Sequence, residues 1–189
     1  MAPSMQGSPA REPAPSAAAA PAFPPPLPAD PELARALRGS LGRLPTGVTI
    51  MTAAGNGAGP VGLTANSFTS LSLSPPLILW SLRGDSPSLI AFETDLRFAV
   101  NVLSEGQAEL SRRFASRVPD KFADVAYALN EFGVPLLHGA AAWFECRTVA
   151  HHVAGDHVLF IAHVERHAAT EQAPLVFHAG HYRLLGEPL

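Results

Sequence analysis

Between Asp156 and His167 the chain keeps a two-residue period, with Val158, Phe160, Ala162 and Val164 alternating against Leu159, Ile161 and His163. Successive side chains of a strand point to opposite faces, so this period predicts β-structure and not a helix. Ala141–Val149 lies just upstream and Gly155 supplies a turn, which makes the two segments an expected strand pair. Gly47–Ala53 and Pro60–Ser72 flank the glycine-rich turn Gly55–Gly59 as the arms of a hairpin. Further strands are expected at Leu77–Leu82, introduced by Pro75-Pro76, at Arg97–Leu103, and as a short terminal strand or pair over Leu175–His178 and His181–Leu184. Helices are few and short. Asp30 is placed to cap one that has Pro31 at its first position and Leu33, Leu37 and Leu41 four apart, ended by Gly42 and Pro45. Ser86–Phe92 and Glu105–Ala115 supply the others. Six or more strands without regular βαβ alternation predict a mainly β fold, a β-barrel with a few short helices.

With 189 residues, 47% hydrophobic and 15% charged, the chain has material for one domain with a substantial core. That domain is expected over 31–189. Residues 1–30 are Ala, Pro and Ser with almost no periodicity, including Pro24-Pro25-Pro26, and are expected as a disordered, passive tail. A net charge of −3 leaves no excess of Lys and Arg for a phosphate backbone, which argues against nucleic acid as a partner. The longest apolar stretches fall far short of the ~20 residues that span a bilayer, so no membrane partner is expected. Arg11, Glu12 and repeated prolines interrupt any apolar region of the signal-peptide kind. The single cysteine, Cys146, cannot form an internal disulfide or a Cys-x-x-Cys pair and sits in an expected strand, which points to burial and a cytoplasmic location.

Neither G-x-x-x-x-G-K-[ST] nor a G-x-G-x-x-G between strand and helix is present, and Gly55-x-Gly57-x-Gly59 has the spacing of a turn. A bound nucleotide therefore needs a fold other than Rossmann or P-loop. The stretch Gly62–Pro76 is dense in small hydroxyl and amide side chains, which suits a surface for a flat, heteroatom-rich ring. Serine- and threonine-rich strands are also common as plain exposed sheet faces, so the residues alone leave both readings open. Histidines crowd the last forty positions, but His151 and His152 point to opposite faces of a strand and no carboxylate or cysteine completes a ligand spacing. No metal site is expected.

Pro45–Thr49, Leu63–Ser72 and Pro75-Pro76 together resemble the opening of the flavin reductase-like, FMN-binding split-barrel family. Phe98–Leu103 with Gln107, Arg113–Ala115, Asp120–Phe122, Pro135–Leu137, Ala142–Cys146, Gly155–His157 and Gly180–Arg183 follow in that family's order, so the resemblance runs from about Leu37 to Leu185. It implies a homodimeric Greek-key split β-barrel that holds FMN, or alternatively FAD, near the subunit interface and takes NADH or NADPH as co-substrate. The implied activity is NAD(P)H-dependent flavin reduction, supplying a partner flavin-dependent monooxygenase. A non-catalytic flavin- or haem-binding protein of the same barrel type is the alternative, and an oxidase of the pyridoxamine-phosphate type a more distant one.

By position, the resemblance assigns flavin contacts to Thr64, Ala65, Asn66 and Ser67, largely through backbone groups, and to the hydroxyls of Ser70 and Ser72. Leu103 and Ser104, with the helix start behind them, complete that implied site, and Phe114 with Lys121-Phe122 falls in the segment that closes over the flavin in similar proteins. A phenylalanine at helical spacing is equally a core residue. His157 is the implied catalytic or nicotinamide-positioning side chain, with Asp156 able to act on its imidazole by charge. The segment Arg83–Ser88 varies across the family, which leaves the choice among FMN, FAD and riboflavin open.

Overall fold

The computed structural model describes residues 30–55, 57, 59–94 and 96–188, so the tail expected over 1–30 lies outside the described residues but for Asp30. The elements in chain order are α1 (Pro31–Leu41), β1 (Thr46–Gly47), β2 (Thr49–Ala53), β3 (Val61–Ala65), β4 (Thr69–Leu73), β5 (Pro76–Arg83), α2 (Leu89–Thr94) and β6 (Arg97–Val102). A 3-10 turn (Glu105–Gln107) then leads into α3 (Ala108–Ala115), followed by β7 (Tyr127–Leu129), β8 (Pro135–Leu137), β9 (Ala142–Ala154), β10 (His157–Ala169), β11 (Val176–His178) and β12 (His181–Arg183). Asp30 caps α1 as expected, its Oδ1 accepting from the amides of Glu32 at 2.8 Å and Leu33 at 3.3 Å.

Seven strands form one antiparallel sheet in the order β3-β2-β6-β9-β10-β5-β4, beside a three-stranded sheet β1-β11-β12 and the pair β7-β8. The single arm expected over Pro60–Ser72 is corrected to two strands, β3 and β4, which lie at opposite edges of that sheet. Only residues 66–68 join them. A flat sheet of seven strands separates its edges by roughly 29 Å, whereas the link from Ala65 to Thr69 reaches at most about 14 Å. The sheet must therefore curl until its edges nearly meet, giving a split barrel. Ser67 pins the seam: its hydroxyl donates to the Ser81 carbonyl at 2.9 Å and accepts from the Ser81 amide at 3.0 Å.

The barrel interior follows from register. β5 and β10 pair so that Leu82, Trp80 and Ile78 lie opposite Val158, Phe160 and Ala162, and all six are buried. The rings of Trp80 and Phe160 stack with centroids 4.8 Å apart, and Phe92 from α2 meets Trp80 edge to face at 5.0 Å. β2 is buried on both faces: Met51 and Ala53 join this interior, while Ile50, with Val48 just before the strand, joins a second cluster with Leu103, Phe114, Phe122, Leu137 and Leu175. The two clusters require cover on both sides of β2, which is why α3, β8 and the small sheet pack outside the barrel. β7 and β8 were not foreseen, because three residues each are too few to display a period.

Buried polar groups tie the outer layer to the barrel. Asn101 Nδ2 donates to the Ile50 carbonyl and to Thr52 Oγ1, each at 3.1 Å, and Asn101 Oδ1 accepts from the Leu137 amide at 2.8 Å. Thr52 Oγ1 in turn donates to the Pro135 carbonyl at 2.6 Å. Asn101→Ala leaves the Leu137 amide without a partner in a dry interior and is expected to destabilise the fold by about 1–3 kcal/mol, read as a lower urea midpoint at unchanged m-value.

Candidate active site at the seam of the barrel

Where the two sheet edges approach, a cavity of about 540 Å³ opens. One wall is the end of β3 and the link, Leu63–Ser67; the facing wall is the end of β5, Ser81–Arg83, with Asp85–Ser88 beyond it. The end of α3 and its continuation, Phe114–Arg117, with Lys121, cover a third side, and His157 at the start of β10 completes the lining. Among the described residues β3 pairs only with β2, so one side of its backbone is free of ladder bonds and available to a ligand. Two hydroxyls here are already engaged: Thr64 Oγ1 donates to the Ser111 carbonyl at 2.7 Å, and Ser67 holds Ser81. Recognition by this wall therefore rests on backbone groups and the exposed amide of Asn66.

Charge is concentrated at the rim. Arg83 and Asp85 form a bidentate pair at 2.8 and 2.6 Å, which raises the guanidinium's pKa and holds the carboxyl below its ordinary value. Lys121 Nζ donates to the carbonyls of Phe114 at 2.8 Å and Gly62 at 3.3 Å, and burial pushes the ammonium's pKa down. Register places His157 opposite Arg83, and the Gly84 amide donates to the Asp156 carbonyl at 2.9 Å, fixing the β9–β10 turn against β5.

Asp156 Oδ1 lies 2.8 Å from His157 Nδ1, and this hydrogen bond with the imidazole's charge holds the Asp156 carboxyl below its ordinary value. An ionised carboxylate only accepts, so Nδ1 carries the hydrogen and a neutral His157 ring presents a lone pair at Nε2.

Of the residues singled out from sequence, Thr64, Ala65, Asn66, Ser67, Phe114 and His157 line this one cavity. Ser70 and Ser72 do not: both sit on β4, and Ser72 Oγ accepts from the Ser74 amide at 3.2 Å. Leu103 belongs to the second core cluster and Ser104 follows it, buried, with the backbone groups of both spent inside the chain. The Leu103 amide donates to the Val48 carbonyl, and the Ser104 amide to Gln107 Oε1. Phe114 is fully buried and meets Phe122 edge to face at 4.9 Å, so these rings are core, and from the segment expected to close over the flavin Arg117 and Lys121 reach the cavity beside Phe114–Ser116.

Arg83 and Asp85–Ser88 were missed as lining. They reach the cavity through register and loop path, and the variability of the Arg83–Ser88 segment was their only sequence signal. Cys146 is buried in the barrel, where burial first and then the nearby Glu165 and Glu145 push its thiol up to about 12.

The family model for the flavin reductase like domain matches residues 41–186. The chain belongs to the flavin reductase-like family. Among its relatives is the NADH-dependent FMN reductase SmoA of Agrobacterium fabrum, 44% identical over 149 residues that cover 79% of this chain and 84% of that protein. Another is the reductase subunit HsaB of a flavin-dependent monooxygenase from Mycobacterium tuberculosis, 39% identical over 78% of this chain and 80% of the subunit. A solved NADH:FAD oxidoreductase of Streptomyces globisporus superposes with a TM-score of 0.78 at 38% identity, covering 87% of this chain and all of that one. Some relatives are longer: the chain spans 42% of a probable flavin reductase of Rhizobium meliloti.

In this flavin reductase-like chain the seat of Phe114, which lines the cavity, depends on one close approach. A Cβ added at Gly62 falls 2.7 Å from Phe114 Cδ1 and 3.1 Å from Phe122 Cζ. Gly62→Ala must push α3 outward and is expected to destabilise the protein by about 1–3 kcal/mol, seen as a lower Tm in a thermal melt.

Proposed function

We propose that this chain is an NAD(P)H-dependent flavin reductase that takes FMN, and FAD secondarily, at the seam of the barrel and supplies reduced flavin to a partner flavin-dependent monooxygenase. The observation that carries the reading is the cavity itself. Its volume is that of a small-ligand site, one wall is unpaired strand backbone, and the cations Arg117 and Lys121 stand on the adjoining third side for a phosphate. These residues fit a flavin mononucleotide. Flavin supplies a hydride acceptor when bound; the chain contributes binding, orientation and exclusion of water, since hydride transfer needs no covalent nucleophile. In this reading Leu63–Ser67 hold the ring system by backbone groups, and Asp156 orients His157 so that Nε2 accepts from a carboxamide N–H₂.

A homodimer in the cytoplasm is part of the same proposal. α1 buries none of its residues, and Leu33, Leu37 and Leu41 stand exposed on it, as do Leu71 and Leu73 on the edge strand β4. An isolated helix of this length is marginal in water, and a bare apolar strand edge invites pairing, so a second copy is the natural cover. The lone, buried Cys146 suits a reducing compartment, and among the described residues no helix is long and apolar enough to cross a membrane.

Loss of nicotinamide absorbance on adding NADH and FMN tests the function directly; flavin binding without turnover overturns it. In His157→Ala, flavin Kd is expected to hold while kcat/KM for NADH falls about 10- to 100-fold, the loss of an orienting hydrogen bond worth roughly 1.5–3 kcal/mol. An unchanged rate of flavin reduction in stopped flow removes His157 from the mechanism. Light scattering is expected to show a dimer at micromolar concentration.

A further inference from the structure

A cleft of about 440 Å³ adjoins the site cavity, and Arg83, Asp85 and His157 line both. Leu89 and Glu93 of α2 form one side of it, and Val153, Gly155 and Asp156 at the β9–β10 turn form the other. Its exposed lining is mostly apolar, from Leu89, Val153 and Val158. Arg83 and Asp85 neutralise one another, and Asp156 is engaged by His157. Glu93 is left half-buried with no ion pair among the described residues. A partly desolvated carboxylate beside apolar groups favours a cation, so the cleft suits an apolar ridge that carries a positive charge on its border.

α1 has that form. A turn of about 100° per residue puts Leu33, Leu37 and Leu41 in one stripe with Arg38 on its border. All three leucines are more than half exposed, and Arg38 makes no ion pair among the described residues. The helix is tied to its own chain at its end, where the Gly42 carbonyl accepts from the Ala179 amide at 2.9 Å in the β11–β12 turn. None of its residues is buried, and none lines the cleft of its own chain. A helix with an uncovered apolar stripe and a cleft with an uncovered apolar lining thus stand on one molecule, and their unpaired charges are opposite in sign.

We propose that α1 of a second copy docks in this cleft, with its leucine stripe on Leu89 and Val153 and its Arg38 at Glu93, and that it closes the active site on the side where His157 stands. This rests on the dimeric flavin-reductase reading and makes each site depend on both chains. Two-fold symmetry makes the exchange reciprocal, so both helices and both clefts are covered at once. The leucines supply the apolar contact, and the Arg38–Glu93 pair fixes which way the helix lies. A helix seated there shields from water the imidazole that faces the co-substrate.

Crosslinking tests the placement on the full chain. Cys146 is buried, so cysteines introduced at the exposed positions 37 and 153 are the reactive thiols. Leu37→Cys protein mixed with Val153→Cys protein and treated with a short bismaleimide is expected to give a covalent dimer that joins the two. No joined product, with a dimer still seen by light scattering, overturns the exchange and leaves the dimer standing. A Leu37→Cys/Val153→Cys double variant that crosslinks within one chain shows α1 on its own cleft and overturns it too. Kinetics test the closure, at a concentration where light scattering shows the dimer. Arg38→Glu and Glu93→Arg are each expected to lower kcat/KM for NADH about fivefold, and the double variant to recover to within about twofold of the parent. Unaltered kinetics in both single variants, or no recovery in the double, overturn the closure. A parent protein that does not oxidise NADH with FMN overturns the reductase reading instead, and the crosslink, which needs no turnover, still decides where α1 lies.

Discussion

The rest of this structure depends on a link of three residues. Asn66, Ser67 and Phe68 connect the two edges of a seven-stranded sheet, and a link that short cannot span a flat sheet of that width. Curling is thereby imposed, and the interior it encloses must be filled. Trp80 stacked on Phe160, with Phe92 at its edge, fills it with rings whose combined burial is worth several kcal/mol on the order of 2–3 each. The same link leaves the barrel incompletely closed, because β3 and β4 approach without pairing. Ser67 bridges to Ser81 in place of ladder bonds, and the opening that persists beside it is the cavity. Fold and site therefore share one cause.

Around that opening the chemistry is divided by element. β3 contributes backbone whose polar groups lack ladder partners on one side, suited to reading heteroatoms on a flat ring. The β9–β10 turn contributes an imidazole whose tautomer is set by Asp156. The segment after α3 contributes cations, and Lys121 holds its own place by bonding to carbonyls of both α3 and β3. The outer layer that carries these cations is not loosely attached: Asn101 and Thr52 bind β8 to the barrel, and Gly62 lets Phe114 sit directly on β3.

Much of this was legible in the residues. The alternation at Val158–Val164, the capping of α1 by Asp30 and the turn at Gly155 are local signals, set by neighbours a few positions away, and each appears in the structure. The resemblance singled out Thr64–Ser67 and His157 by their place in a known order, and the structure brings them to one cavity. Ser70, Ser72, Leu103 and Ser104 belong to the same motifs, yet the structure does not bring them to the cavity. A motif marks a stretch of chain, while the side of the sheet and the bonding of each backbone group depend on pairing with distant strands. The break at residues 66–68 escaped notice for the same reason, since a strand that changes edges keeps its local composition.

The sequence by itself determined that this chain would be β-rich with few short helices, because a two-residue period and turn-forming glycines act over short range. It also determined which residues were apolar enough to form a core. Only the tertiary structure decided that β3 and β4 stand at opposite edges, that Arg83 faces His157, and that Lys121 reaches the cavity. These are contacts between residues tens of positions apart, and no local preference specifies them: they arise when one sheet, joined at its two edges by a short link, has a single way to close.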